Sequence, residues 1–528
     1  MDKPELSPSR RDLILMTGVA TVGAVAAIRP TAADLDEGGR ASPVINVKDH
    51  GARGDGAAND TRAVKLALDR ASALDSSSTL YFPSGVYRVS AGTLRIPDGH
   101  STLIRGDGPG ASRITFVEGE TSSEPLVSLD ALFSAVEDIQ LDGTDAAGDS
   151  DLLVLNRGYT RVSNCLLSNS PGTALAIGKK GRALAHIVQN VVIRDAHGYG
   201  IRVHGATDEE TTGSTDGLWS NVDVGRSGLS GVFLESSSQN MSNVHVWQSG
   251  VYADDPADQN GFLVITRSHI FSGCQAEKNH GDGFRFERGG GDGCVVSGSR
   301  IWENGGSGLV GVGAQRLTVT GSTFARNGRN NVGSSASPTD RSSAAIRNDG
   351  GDHWSITGCN AWDDEAELTA VNVPEDSSTP KIPARGGQMS QTFAYVETGE
   401  SGSSVITGGV LRAEDQLSGR AVQSASPFLR ISATDLGGDT VPSVAAATTL
   451  DLPPWGEVVK ITGTAEIRSI RPGRPGRTVT LIFTSEGAAG LRGAGANLRL
   501  TTGFAPSVGG TITLICVDDS WREQSRTA

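Results

Sequence analysis

The chain has 528 residues, a formal net charge of −14, 69 glycines and 5% aromatic residues. That length exceeds one small core, and so much glycine disfavours long helices while suiting turn-rich β structure. The mild acidity, without a local basic stripe, excludes a general nucleic-acid partner.

At the N-terminus, "SRRDLIL" (Ser9–Leu15) places paired arginines, Arg10 and Arg11, before the apolar run "LILMTGVATVGAVAAI" and the small residues "TAAD". The run is short for a bilayer span. The segment resembles a twin-arginine signal, which implies export of a folded, soluble protein and no membrane association in the mature form. We therefore read 1–33 as signal and 34–43 as a polar linker, with the mature protein secreted.

Next come "INVKDHGARGDGAANDTRAVKLALDRA" and "STLYFPSGVYRVS". The first predicts a short strand, a Gly/Asp turn and a helix capped by Asn59 or Asp60. Ala63, Val64, Ala67, Leu68 and Ala71 form its apolar stripe. The second alternates as a strand on each side of Pro83–Gly85. Val47, Asp49, Gly51, Gly54-Asp55-Gly56, Asp60-Thr61, Tyr81, Pro83, Gly85 and Tyr87 together resemble the opening of the pectate-lyase-like superfamily. The resemblance implies an all-β fold, a right-handed parallel β-helix closed by a cap helix, and a polysaccharide partner. It implies no single reaction, because that superfamily holds hydrolases, lyases, epimerases and tailspikes.

The repeat supports the same fold independently. "HGYGIRV", "GLSGVFL", "DQNGFLV", "HGDGFRF" and "GGSGLVG" each put a glycine before an apolar strand, at Gly200, Gly231, Gly261, Gly283 and Gly308, with spacings of 31, 30, 22 and 25 residues. The last two suit one coil of a solenoid, and the first two predict coils with inserts, "GATDEETTGS" (205–214) and "YADDPADQ" (252–259). Weaker coils extend over 103–177 and 312–411, interrupted by a loop at 363–388. Cys165, Cys274 and Cys359 recur in like contexts; with Cys294 and Cys516 they show no CxxC spacing, which argues for small buried residues over a zinc site or disulfides. The solenoid is bounded at 44–412. A polar linker (413–426) precedes a β-sandwich-like module (427–528). That module resembles those following β-helices in tailspike-like proteins, which implies carbohydrate contact or a homotrimer.

Function on a solenoid sits on outward side chains and inserts. Strand alternation turns Ile201 and Val203 inward and Arg202 and His204 outward, then Phe233 and Glu235, then Arg285 and Glu287. Aligning coils on their glycines sets His204 beside Glu235 and Arg202 beside Phe233. This predicts a histidine with a raised pKa, a sugar-stacking ring at Phe233, and a groove around Tyr199, Arg202, His204, Glu235 and the 252–259 insert. Arg202 or Arg285 would offset developing carboxylate charge. Glu287 and Asp216 are further substrate-binding candidates. Clustered carboxylates Asp254, Asp255 and Asp258 predict a Ca²⁺ site.

Two resemblances bear on the reaction. "GYGIRVH" resembles the "YG-x-DPH" motif of bacterial mannuronan C5-epimerases. It carries over that family's catalytic tyrosine and histidine to Tyr199 and His204, while Arg202 stands for the aspartate and Val203 for the proline. "STDG" (Ser214–Gly217), Asp254-Asp255, "NHGDG" and "SRI" resemble polygalacturonase elements, which implies acid and water-activating aspartates. The expected function is cleavage of an acidic or complex polysaccharide by hydrolysis or β-elimination. The alternatives are a non-catalytic carbohydrate-binding β-helix and an epimerase.

Overall fold

A computed structural model describes residues 43–527 apart from 75, 207–212, 332–342, 369–381, 383–385, 388, 399–401, 413–414, 417–420, 425, 427–428, 433, 437–440, 454–456, 472, 474 and 494–495. The signal and linker read over 1–42, most of the 205–214 insert and most of the 363–388 loop lie outside the described residues. No helix among the described residues is long and apolar enough to cross a membrane.

Residues from Val44 onward wind into a right-handed parallel β-helix, as its alternating strands and glycine corners predict. One face is a continuous ladder of twelve parallel strands, from Leu94–Ile96 to Val422–Ser424. The other two faces share a second ladder, joined where Arg161–Ser168, Ile187–Arg194, Leu218–Gly225 and Asn240–Trp247 run through both. At that join Asn164, Asn190, Asn221 and Asn243 each adopt φ of 52–53°, the left-handed region asparagine tolerates. Their side chains bond in series, Asn190 to Asn164 at 3.1 Å, Asn221 to Asn190 at 3.1 Å and Asn243 to Asn221 at 2.8 Å. Later rungs bend at the same place with Gly273, Gly298 and Gly321, φ 55–61°.

The recurring glycine has a steric cause. A Cβ on Gly261 would lie 2.6 Å from the carbonyl oxygen of Gly283, and one on Gly283 would lie 2.6 Å from that of Gly308. Successive rungs therefore touch backbone to backbone at this corner, where only glycine fits.

The interior is apolar. Phe262 and Phe284 stack at 4.3 Å, and Phe271 meets Phe284 edge-on at 5.2 Å. Ile201 and Val203 are fully buried, each contributing about 1.5–3 kcal/mol relative to exposure. All five cysteines are buried, and none forms a disulfide. Helix α1 (Thr61–Ser72) covers the first rungs with Ala63, Val64, Ala67, Leu68 and Ala71. The Asn59 side chain accepts from Thr61 N, whereas Asp60 accepts from Arg53 N and Gly54 N and so pins the Gly/Asp turn instead of the helix.

The solenoid runs past the boundary expected at 412. Val422–Ser424, inside the expected linker, pairs in parallel with Tyr395–Glu397, and Arg430–Ser432 pairs with Val405–Thr407. Polar composition concealed these rungs. The C-terminal module has its own core around Val459, Ile461, Leu481, Phe483, Leu514 and Trp521. It combines a six-stranded and a two-stranded sheet. Its Ser443–Ala445, Val458–Thr462 and Thr478–Phe483 strands are parallel, and an antiparallel pair, Thr511–Val517 and Ser520–Thr527, follows them.

Candidate functional site

Four adjacent strands of the twelve-stranded face carry the candidate residues: β1 (Ile201–Val203), β2 (Val232–Leu234), β3 (Phe262–Val264) and β4 (Phe284–Phe286). Their register pairs Arg202 with Phe233, Phe233 with Leu263 and Leu263 with Arg285. Parallel stacking therefore converts one outward position per coil into a single column.

At its centre, the Arg202 guanidinium grips Glu235 at two points, Nε–Oε2 2.7 Å and Nη2–Oε1 3.0 Å. The same group lies 5.3 Å from the Tyr199 ring and 5.2 Å from the Phe233 ring, whose centroids are 5.1 Å apart, so it rests over the two adjacent rings together. Tyr199, Phe233 and Leu263 form a small apolar cluster outside the main core. Phe233 is only 8% exposed, so it supports Arg202 and does not offer the sugar-stacking face expected of it.

His204 Nδ1 lies 3.8 Å from Glu235 Oε2, which confirms the predicted neighbours but exceeds hydrogen-bond length. The expected rise in its pKa is reversed. Burial, then the charges of Arg202 and Lys179, hold the imidazole down at about 4. Glu235 is committed to Arg202 and does not offset them. His204 is thus neutral at neutral pH and able to accept a proton. The Tyr199 phenol donates to Asp258 Oδ1 at 2.9 Å, and burial with the Asp258 charge raises its pKa above the usual range. It keeps its proton at neutral pH. The site thus pairs a protonated phenol with a neutral imidazole, the states needed for an acid and a base.

The remaining candidates divide. Arg285 sits three rungs from Arg202 and is held by Glu287 at 2.5 Å and Asp282 at 3.1 Å, so its charge is locally compensated. Asp216 is not in the column: it occupies a left-handed corner, φ 62°, and accepts from the Thr215 hydroxyl. The aspartates of the expected Ca²⁺ site have separate partners. Asp258 accepts from Tyr199, and Asp255 caps a short 3-10 turn by accepting from Ala257 N at 2.9 Å. No group of three or more metal-ligating side chains assembles among the described residues.

Two residues escaped the sequence reading. Lys179, from the strand Leu175–Arg182, bonds Asp151 at 2.7 Å and acts electrostatically on His204. Asp282, in "HGDG", is buried and its pKa is raised by burial against the pull of Arg285. The sole signal for Lys179 was the pair Lys179-Lys180 interrupting an apolar coil.

Comparison with known proteins agrees with this architecture. The A-module of mannuronan C-5 epimerase AlgE6 of Azotobacter vinelandii superposes with a TM-score of 0.52 at 16% identity, covering 75% of this chain and all of that one, which shows the shared fold. In sequence, mannuronan C5-epimerase AlgE4 of the same organism is 30% identical over 236 residues, 43% of this chain and 37% of that protein. AlgE5 is 29% identical over 282 residues, 49% of this chain and 25% of that protein. Alginate lyase 7, also from A. vinelandii, is 43% identical over 79 residues, 14% of this chain and 9% of that protein. The chain therefore matches well under half the length of each of these three sequence relatives. Residues 44–308, which contain the whole column, match the family described as Rhamnogalacturonase A/epimerase, pectate lyase-like, and the chain belongs to that family.

Proposed function

We propose that this polysaccharide-acting β-helix removes the C5 proton of a uronate residue and cleaves the chain by β-elimination. The observation that carries the reading is the neutral imidazole of His204 and the protonated phenol of Tyr199 on one rung with a fixed guanidinium between them in sequence. Arg202, through the N–H groups not committed to Glu235, donates to the uronate carboxylate as charge builds when C5 loses its proton. His204 takes that proton. The C5 electron pair forms the C4–C5 double bond, the C4–O4 bond breaks, and Tyr199 protonates the departing oxygen. The proton on His204 then returns to Tyr199 through solvent.

Epimerisation shares the first step and is favoured by the epimerase relatives, with Tyr199 reprotonating C5 from the opposite face. The arginine at position 202, where the epimerase motif has aspartate, favours elimination. Hydrolysis loses support because Glu235 and Asp258 already accept from Arg202 and Tyr199.

The test incubates the protein with polymannuronate, polyguluronate and polygalacturonate in deuterated water. Elimination predicts ultraviolet absorbance from unsaturated uronate, lost in His204→Ala and Tyr199→Phe. C5 deuterium without absorbance selects epimerisation. New reducing ends without unsaturation, or binding without either signal, overturns the proposal.

The proposal includes twin-arginine export and a homotrimer. Cytoplasmic retention of an Arg10→Lys/Arg11→Lys double variant tests the first, and light scattering of the purified chain tests the second.

A further inference from the structure

Away from the column, a concavity of about 370 Å³ opens at the corner leading into the twelve-stranded face and is lined by Asn169, Asp195, His197, Arg226 and Tyr252, among others. Its volume is within the range of small-ligand sites. Asn169, Asp195 and Arg226 occupy equivalent left-handed corners on successive rungs, φ 54°, 56° and 57°. Arg226 meets Asp195 at two points, Nε–Oδ1 and Nη2–Oδ2, each 2.5 Å. Beside this pair the rings of His197 and Tyr252 stack at 4.8 Å and 21°.

We propose that this cavity binds an uncharged pyranose residue. The carboxylate and guanidinium neutralise each other, which leaves paired acceptors and donors suited to neighbouring sugar hydroxyls and no spare cation for an anion. The stacked rings add a flat surface of the kind that receives the C–H face of a sugar, and Asn169 adds an amide.

The site is tied to the column by one insert. Tyr252 stands at its start, and Asp258, acceptor of the Tyr199 hydroxyl, stands near its end. Resting on the uronate reading above, the inference extends it: the substrate is a mixed polysaccharide in which uncharged residues accompany uronates.

The experiment is ligand-observed saturation-transfer NMR on the full chain, with tetramers of mannose, galactose and glucose as neutral probes and tetragalacturonate as the charged one. At least one neutral tetramer binds, Tyr252→Ala weakens it about tenfold or more, and Tyr252→Phe retains it. The column variant His204→Ala leaves this binding unchanged. Absence of neutral binding, or neutral binding equal in Tyr252→Ala and wild type, overturns the inference. So does a cavity that takes only tetragalacturonate in a Tyr252-dependent way. Loss of C5 chemistry with neutral binding intact overturns the uronate reading and leaves the neutral-sugar site standing.

Discussion

Arg202 and Glu235 are 33 residues apart in sequence, yet they form a two-point ion pair across adjacent rungs, at 2.7 and 3.0 Å. The pair orients the guanidinium over the adjacent rings of Tyr199 and Phe233 and removes Glu235 as a compensating charge for His204.

The planar fork of arginine makes this pair, and lysine cannot reproduce it. Arg202→Lys is expected to destabilise the protein by about 1–2 kcal/mol. Combining it with Glu235→Gln should cost less than the sum of the single changes. Urea midpoints of the four proteins check this, and additive losses would mean the two groups do not couple.

His204 is held at about 4 against an ordinary value of 6.5. Above pH 6.5 folded and unfolded states both carry it neutral. As pH falls, the unfolded chain gains a proton that the folded protein refuses, so stability is full above 6.5 and declines toward 4. Buried His186, His269 and His280, depressed to about 4, 3 and 4 chiefly by burial, steepen the same decline. The acid limb of kcat/KM should lie near pH 4 and move upward in Lys179→Met, which removes one repelling charge. A limb fixed near 6.5 in the wild type would exclude His204 as the base.

Gly261→Ala would force a methyl group to within 2.6 Å of the next rung's carbonyl oxygen. Overpacking of this kind costs about 1–3 kcal/mol. A lowered thermal midpoint is the expected result, with no comparable change for Gly110→Ala, where a Cβ meets nothing within 4 Å and the backbone is not left-handed.

Asn221 both accepts from and donates to its neighbours in the ladder, with φ 53°. Asn221→Ala loses both bonds and forces alanine into the left-handed region, for about 1–2 kcal/mol. Asn221→Gly loses the bonds alone and should cost less. Equal denaturation midpoints for the two variants would show that the backbone conformation is not at stake.

Much of the fold was legible because its signals are local. The glycine before each strand and the two-residue alternation of Ile201 and Val203 placed β1 to β4 and their register correctly, so His204 was set beside Glu235. The site's electrostatics were not legible. Proximity of a carboxylate to His204 suggested a raised pKa, but the sign depended on Arg202 claiming that carboxylate and on Lys179 arriving from another coil. Phe233 read as an open ring because alternation gives direction but not exposure. Asp254, Asp255 and Asp258 read as one cation site because they are close in sequence, while the fold gave Asp255 and Asp258 separate partners. The last rungs, around Val422–Ser424 and Arg430–Ser432, escaped because their polar composition hides the alternation.

By itself, the sequence determined a stacked parallel solenoid, its inward and outward faces and its coil spacing, since these follow from periodicity and from the glycine before each strand, while the cap helix came from the resemblance of the opening stretch. Only the tertiary structure decided which charges cancel, which ring is covered and which group holds its proton. Those outcomes depend on burial and on partners from neighbouring rungs, distances that no spacing along one chain encodes.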